Sequence, residues 1–189
     1  MRLTVVKIGG GLMASVETFD AVMAELVSAS WDVPLLVVPG GGRFADAVRD
    51  TDREFGLSDE AAHWMAILAM DQYAHLLLSR LPRGRLVWRP EEIEPALEAG
   101  MVPILAPYRW LHETDSLPHS WEVTSDSISA WVAGRVGTER LVLVKPSGAS
   151  GPAIVDRCFA SLLPSHVHAE VVTADRVREL RAALGGGPV

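Results

Sequence analysis

The sequence predicts an α/β fold, a three-layer α/β/α sandwich around a mainly parallel central sheet. Three observations lead there. Short apolar runs alternate with amphipathic stretches along most of the chain. The runs are apolar nearly throughout, as strands buried on both faces must be. The first two end directly in glycine triplets, the punctuation of strand-to-helix turns in such sheets.

The elements follow in order. Residues 3–9 (LTVVKIG) read as a buried strand and 16–30 as an amphipathic helix; 33–38 (VPLLVV) is a second strand and 42–55 a second helix. Residues 58–79 read as a long helix with Ser58 as N-cap and Asp59 and Glu60 in its first turn. Strands at 85–88 and 101–105 flank a helix at about 91–98. Residues 106–121 read as a loop. A helix at 124–136, strands at 140–145 and 167–172, and a closing helix at 174–184 complete the alternation. The final Gly-Gly-Gly-Pro-Val reads as a fraying tail.

At 189 residues, 49% hydrophobic and 22% charged, the chain is expected to form one globular domain over 1–189. A net charge of −7 without a dense basic cluster argues against a nucleic-acid partner or an anionic membrane surface. No apolar run approaches the ~20 residues of a membrane-spanning helix. The single cysteine, Cys158, cannot form an internal disulfide and reads as a structural thiol. The first residues enter a strand directly rather than a signal-type apolar stretch, so the expected location is the cytoplasm.

Only two of the seventeen basic residues are lysines, Lys7 and Lys145, each at the end of an apolar strand. Arginine fills the ordinary surface roles, so these positions point to a need for an ammonium, a compact charge on a flexible stem suited to a moving phosphoryl group. Snorkelling from strand ends would also explain them. The glycine triplets Gly9-Gly10-Gly11 and Gly40-Gly41-Gly42 tip the reading toward phosphate. Glycine lets the backbone approach a phosphate and aim N–H groups at it, with a helix N-terminus behind. Two such cradles suggest two phosphate-bearing ligands. Both triplets satisfy G-x-G-x-x-A, yet the acidic residue that a dinucleotide site wants about 20 residues on is missing, and no Walker A lysine follows. Thr124 is placed to cap the late helix, which puts Asp126 in its first turn, where a carboxylate can cap or can hold cations.

Lys7-Ile8-Gly9-Gly10-Gly11, then Gly40-Gly41-Gly42, then Thr124-Ser125-Asp126, then LVLV with Lys145-Pro146-Ser147-Gly148 form an ordered set that resembles the amino acid kinase superfamily over about residues 3–150. Val38 to Asp46, the helix carrying Ala62-His63-Trp64, and Pro118 to Ile128 are most similar to its aminomethylfuran phosphate kinases of methanofuran and methylofuran biosynthesis. The resemblance implies an amino acid kinase-like domain with a shortened C-terminal nucleotide lobe at about 146–189. It implies ATP with Mg²⁺ and a small phosphorylated acceptor that is converted from a monoester to a diphosphate. Lys7, Asp126 and Lys145 would be catalytic. Gly9, Gly10, Gly11, Ser147 and Gly148 would hold ATP phosphates. Gly40, Gly41, Gly42, Arg43, His119, Ser120, Thr124 and Ser125 would hold the acceptor. Other acceptors (isopentenyl phosphate, a nucleoside monophosphate, a carboxylate) stay open, as does a non-catalytic nucleotide- or oxyanion-binding protein on the same fold.

An acceptor with an aromatic ring and an ammonium could use Tyr108, Trp110 and Trp121 for stacking and Glu113 and Asp115 for pairing. The histidines His112 and His119 lack ligand spacing, so no metal site is expected in the protein itself. Asp71 and Gln72 interrupt an apolar helix, which is costly unless they are hydrogen-bonded, so they are expected either in an interface or near the acceptor pocket. A helix apolar on most faces must also be covered on most faces, so residues 61–78 are expected to pack partly against a second subunit in a homodimer or larger homo-oligomer.

Overall fold

β1 (Thr4–Ile8) is buried along its whole length because it has strands on both sides and helices on both faces. In this computed structural model, which describes residues 3–151 and 154–185, β1 pairs in parallel with β2 (Leu35–Pro39) and β5 (Arg140–Lys145). β3 (Gly84–Val87), β4 (Val102–Leu105) and β6 (His168–Thr173) complete a parallel sheet ordered β3-β4-β2-β1-β5-β6. The expected sheet is therefore the observed one. The helices are α1 (Val16–Ala29), α2 (Gly42–Phe55), α3 (Asp59–Leu78), α4 (Ile93–Glu98), α5 (Tyr108–Thr114), α6 (Ser125–Arg135), α7 (Phe159–Leu162) and α8 (Val177–Ala183). No described helix is long and apolar enough to cross a membrane.

Pleating divides the core. Val6, Ile8, Val142 and Val144 face a cluster with Leu26 of α1 and Leu180 of α8. Val5, Leu141 and Leu143 face the opposite cluster, with Ile128 and Val132 of α6. Side chains alternate along a strand, so Lys7 and Lys145 both fall on the α6 side. Lys7 stands opposite Leu143, which puts both lysines at the carboxyl edge of neighbouring strands. α3 serves both clusters, Ile67 and Met70 in one and Tyr73 and Leu77 in the other. It starts as its sequence predicts, with Ser58 Oγ accepting from Ala61 N at 3.2 Å.

The region 106–121 is not all loop, since α5 occupies Tyr108–Thr114. This helix is only two turns long and its cap comes from another helix: Tyr108 N donates to Asp71 Oδ1 at 3.0 Å. That bond also answers the polar interruption of α3. Gln72 is exposed, and Leu68 on the same helix is 42% exposed. α7, a single turn, was equally invisible to periodicity. The fraying tail expected after Gly185 lies outside the described residues.

The two glycine triplets meet. Gly9 N donates to Val144 O and Gly40 N to Ile8 O, each at 2.8 Å, so both strands hold their register up to the turn. Beyond that point the backbones touch: a Cβ on Gly10 would sit 2.2 Å from Gly42 N, and Gly42 itself has φ +55. Arg43 Nη2 reinforces the junction by donating to Met13 O at 2.9 Å. A methyl at position 10 cannot be accommodated without moving backbone, and Gly10→Ala is expected to destabilise by about 3 kcal/mol. Urea denaturation measures this, and a loss within about 0.5 kcal/mol would show that the two turns are not in contact.

Candidate active site

The three residues predicted to be catalytic form one buried cluster. Lys7 Nζ lies 2.8 Å from Asp126 Oδ1, and Lys145 Nζ lies 2.5 Å from Asp126 Oδ2. Only 4% of Lys7 and 4% of Asp126 is exposed. Burial by itself lowers the Lys7 pKa and outweighs the opposing pull of Asp126, while Lys145 pushes it down further. Burial raises the Asp126 carboxyl, but the two ammonium groups more than reverse this and hold it below the ordinary range. With both ammonium groups protonated the cluster has one positive charge in excess, an arrangement that attracts an anion.

Asp126 is aimed by the start of α6. Thr124 Oγ1 accepts from Asp126 N at 3.3 Å, the cap that the sequence predicts. A residue outside that prediction reinforces it. Asp156 Oδ2 accepts from Thr124 N at 3.0 Å, Thr124 Oγ1 at 2.6 Å and Ser127 N at 3.0 Å. Its Oδ1 accepts from Ser127 Oγ and, at 3.1 Å, from Cys158 N. No local pattern marks Asp156, because its partners on α6 lie 29 to 32 positions upstream.

Above the cluster opens a cleft of about 350 Å³. Gly10, Gly11, Gly41 and Gly42 line it together with Ser120, Thr124 and Ser125. Other predicted site residues stand elsewhere. Gly9 and Gly40 have their amides committed to the sheet, and Arg43 is turned toward Met13. Ser147 and Gly148 are exposed past β5, where Gly148 N donates to Asp175 Oδ1 at 3.3 Å. His119 bonds Asp115 at 2.8 Å and stacks on His63 with ring centroids 4.4 Å apart.

Of the aromatic and acidic candidates in 106–121, Trp121 alone lines the cleft. Its Nε1 donates to Asp52 Oδ2 at 2.8 Å, and Arg49 lies over its ring at 4.9 Å. Trp110 is packed on Trp131, Tyr108 on Trp64 and His112, and Glu113 pairs with Arg89 and Arg109. Among the described residues no cluster of histidine, cysteine or acidic side chains is built to hold a metal ion.

The order of these parts along the chain matches an established pattern: the model of the amino acid kinase family fits residues 2–147. The chain belongs to the amino acid kinase family. It is 26% identical over 139 residues to the [5-(aminomethyl)furan-3-yl]methyl phosphate kinase of Methanocaldococcus jannaschii, a match that takes in 74% of this chain and 63% of that relative. In fold it is similar to the uridylate kinase of Archaeoglobus fulgidus (TM-score 0.73, 17% identity, 100% of this chain and 98% of that one). It is likewise similar to the UMP kinase of Bacillus anthracis (TM-score 0.75, 16% identity, 97% and 92%).

Within this amino acid kinase family member, Tyr73, Arg49 and His63 complete the site without having been expected there. Tyr73, fully buried on α3, donates from its hydroxyl to Gly9 O at 3.3 Å and so fixes the first glycine turn. Arg49 and His63 line the cleft wall. A helical face is the signal for Arg49 and His63: positions 42, 45, 46 and 49 of α2 share one side, as do 59, 62, 63, 66, 67 and 70 of α3.

Burial and the neighbouring His119 lower the His63 pKa to about 4. The unfolded chain protonates this histidine below its ordinary 6.5, the folded chain only near 4, so its contribution to stability is present at neutral pH and is lost on acidification across that window. Asp71, raised by burial to about 6, works in the opposite direction. His63→Gln should therefore lose less stability than the parent between pH 6.5 and 4. Parallel denaturation curves at several pH values test this; identical pH slopes for both proteins would contradict it.

Proposed function

We propose that the protein is an ATP-dependent phosphotransferase that turns a phosphomonoester into its diphosphate. The acceptor we infer is an aminomethylfuran methyl phosphate, which places the reaction in methanofuran or methylofuran biosynthesis. The observation that carries the proposal is the buried Lys7–Asp126–Lys145 cluster beneath a cleft walled by both glycine turns. The acceptor class is supported by the similarity to the archaeal aminomethylfuran phosphate kinase.

ATP supplies the phosphoryl group, and the cleft fits phosphates. At Gly10 the neighbouring backbone leaves no room for a side chain, and the amides that open α2 have no intrahelical partner. In phosphoryl transfer a bond forms between an acceptor phosphate oxygen and the γ-phosphorus while the bond to the β-bridging oxygen breaks. A phosphate acceptor is already ionised, so no general base is required. What the chain contributes is charge and position. Lys7 and Lys145 neutralise the equatorial oxygens, and Asp126 holds both ammonium groups at a fixed separation. Both Asp126 oxygens face lysines, so Mg²⁺ would ride on the nucleotide phosphates rather than on this carboxylate. The donor belongs on the β5 side of the cleft, by Gly11 and Lys145. The acceptor belongs against the α2 and α3 wall, with Gly41, Gly42 and Arg49 toward its phosphate, and Ser120, Trp121 and His63 around its body.

ADP release from Mg·ATP with a panel of phosphomonoesters, including the aminomethylfuran phosphate, isopentenyl phosphate and nucleoside monophosphates, tests this directly. Release with none of them would overturn the proposal. Lys7→Arg keeps the charge but replaces a compact ammonium by a planar fork in a dry site, so kcat should drop about 10²-fold or more in a folded protein. Wild-type turnover by that variant would remove Lys7 from the mechanism.

A further inference from the structure

Asp156 gathers more hydrogen bonds than a helix cap needs. Thr124 already caps α6 through Asp126 N. Asp156 accepts from five donors on Thr124, Ser127 and Cys158, and it reaches Asp126 through a two-bond relay. Asp126 N donates to Thr124 Oγ1, whose hydroxyl in turn donates to Asp156 Oδ2. A carboxylate at a helix N-terminus also complements the helix dipole, so the relay ends on a fixed charge. Asp156 comes from the segment that follows β5, the side to which the donor is assigned, while Thr124 and Ser125 face the cleft.

We infer that Asp156 is a positioning residue for phosphoryl transfer: it clamps the segment after β5 to the start of α6 and thereby fixes Asp126 between the two lysines. The inference rests on the phosphotransferase reading. Two lines of physical reasoning support it. Asp126 stays between its lysines only while the first turn of α6 is held, because its backbone amide is the last donor of the relay. Charge balance points the same way. Burial lowers the Lys7 pKa, and Asp156 is, after Asp126, the second carboxylate that opposes the fall. Asp156 thus adds a second negative charge that favours the Lys7 ammonium, and its loss would remove that support.

The chain's two lysines make the test specific. Lysine labelled at Cε and Nζ gives an NMR spectrum of two side-chain signals, both from the cluster, whether or not any substrate is turned over. In Asp156→Asn both signals should shift, and Lys7 should lose its proton at lower pH than in the parent. With Mg·ATP and an acceptor, kcat should fall about 10²-fold while both Michaelis constants change less than about threefold, the signature of lost transition-state positioning. Thr124→Val breaks only the relay and leaves Asp156 bonded to Ser127 and Cys158, so it keeps the test open if Asp156→Asn does not fold. It should reproduce the lysine shifts, and the double variant should be no worse than Asp156→Asn alone. Unmoved lysine signals in a folded variant would overturn the inference, and so would a kcat loss that only tracks the unfolded fraction. If none of the acceptors supports ADP release by the parent protein, the phosphotransferase reading fails instead, and the lysine spectra still decide whether Asp156 positions the cluster.

Discussion

Burying two ammonium groups is tolerable only when an opposite charge lies between them, and that constraint organises this molecule. An isolated ion transferred to a dry interior loses several kcal/mol of hydration, which one well-placed carboxylate offsets only if its geometry is held. Asp126 is therefore the residue around which the carboxyl edge of the sheet is arranged. The parallel register of β1 and β5 sets the lysines on one face, and the capped first turn of α6 brings the carboxylate to them. Were either strand to slip by one residue, its lysine would point into the opposite core.

The glycine turns answer to the same edge. Each follows a strand whose pairing runs into the turn, through Gly9 N to Val144 O and Gly40 N to Ile8 O. The triplets are thus divided in labour: the first glycine of each continues the sheet, and the next two shape the cleft. Gly41 has a packing reason as well, since a Cβ there would meet that of Ala45 at 2.4 Å. Tyr73 adds a fixed point from α3, joining the first turn to the longest helix of the fold.

Much of this was legible in the chain because the signals are local. Rarity of lysine marked Lys7 and Lys145, and Ser58 and Thr124 announced the helices that they cap. Parallel pairing followed from alternation, whereas the strand order β3-β4-β2-β1-β5-β6 came only from the structure. What escaped was non-local. Asp156 acts on residues far upstream, Asp71 caps a helix to which it does not belong, and Tyr73 bonds a carbonyl 64 positions away. The loop aromatics misled for a related reason: sequence shows that Trp110 and Tyr108 are near the site, but only packing shows that they turn inward to Trp131 and Trp64.

The contact of Gly10 with Gly42, tied across by Arg43 and Met13, fuses the two cradles into one rigid piece. Neither can be widened for a new ligand without deforming the other. Divergence in what the cleft accepts is therefore channelled to the facing wall, where side chains such as His63, Met70 and Trp121 can be exchanged one at a time. In the history of such a protein, the floor and the cradles would stay fixed while the facing wall records each change of diet.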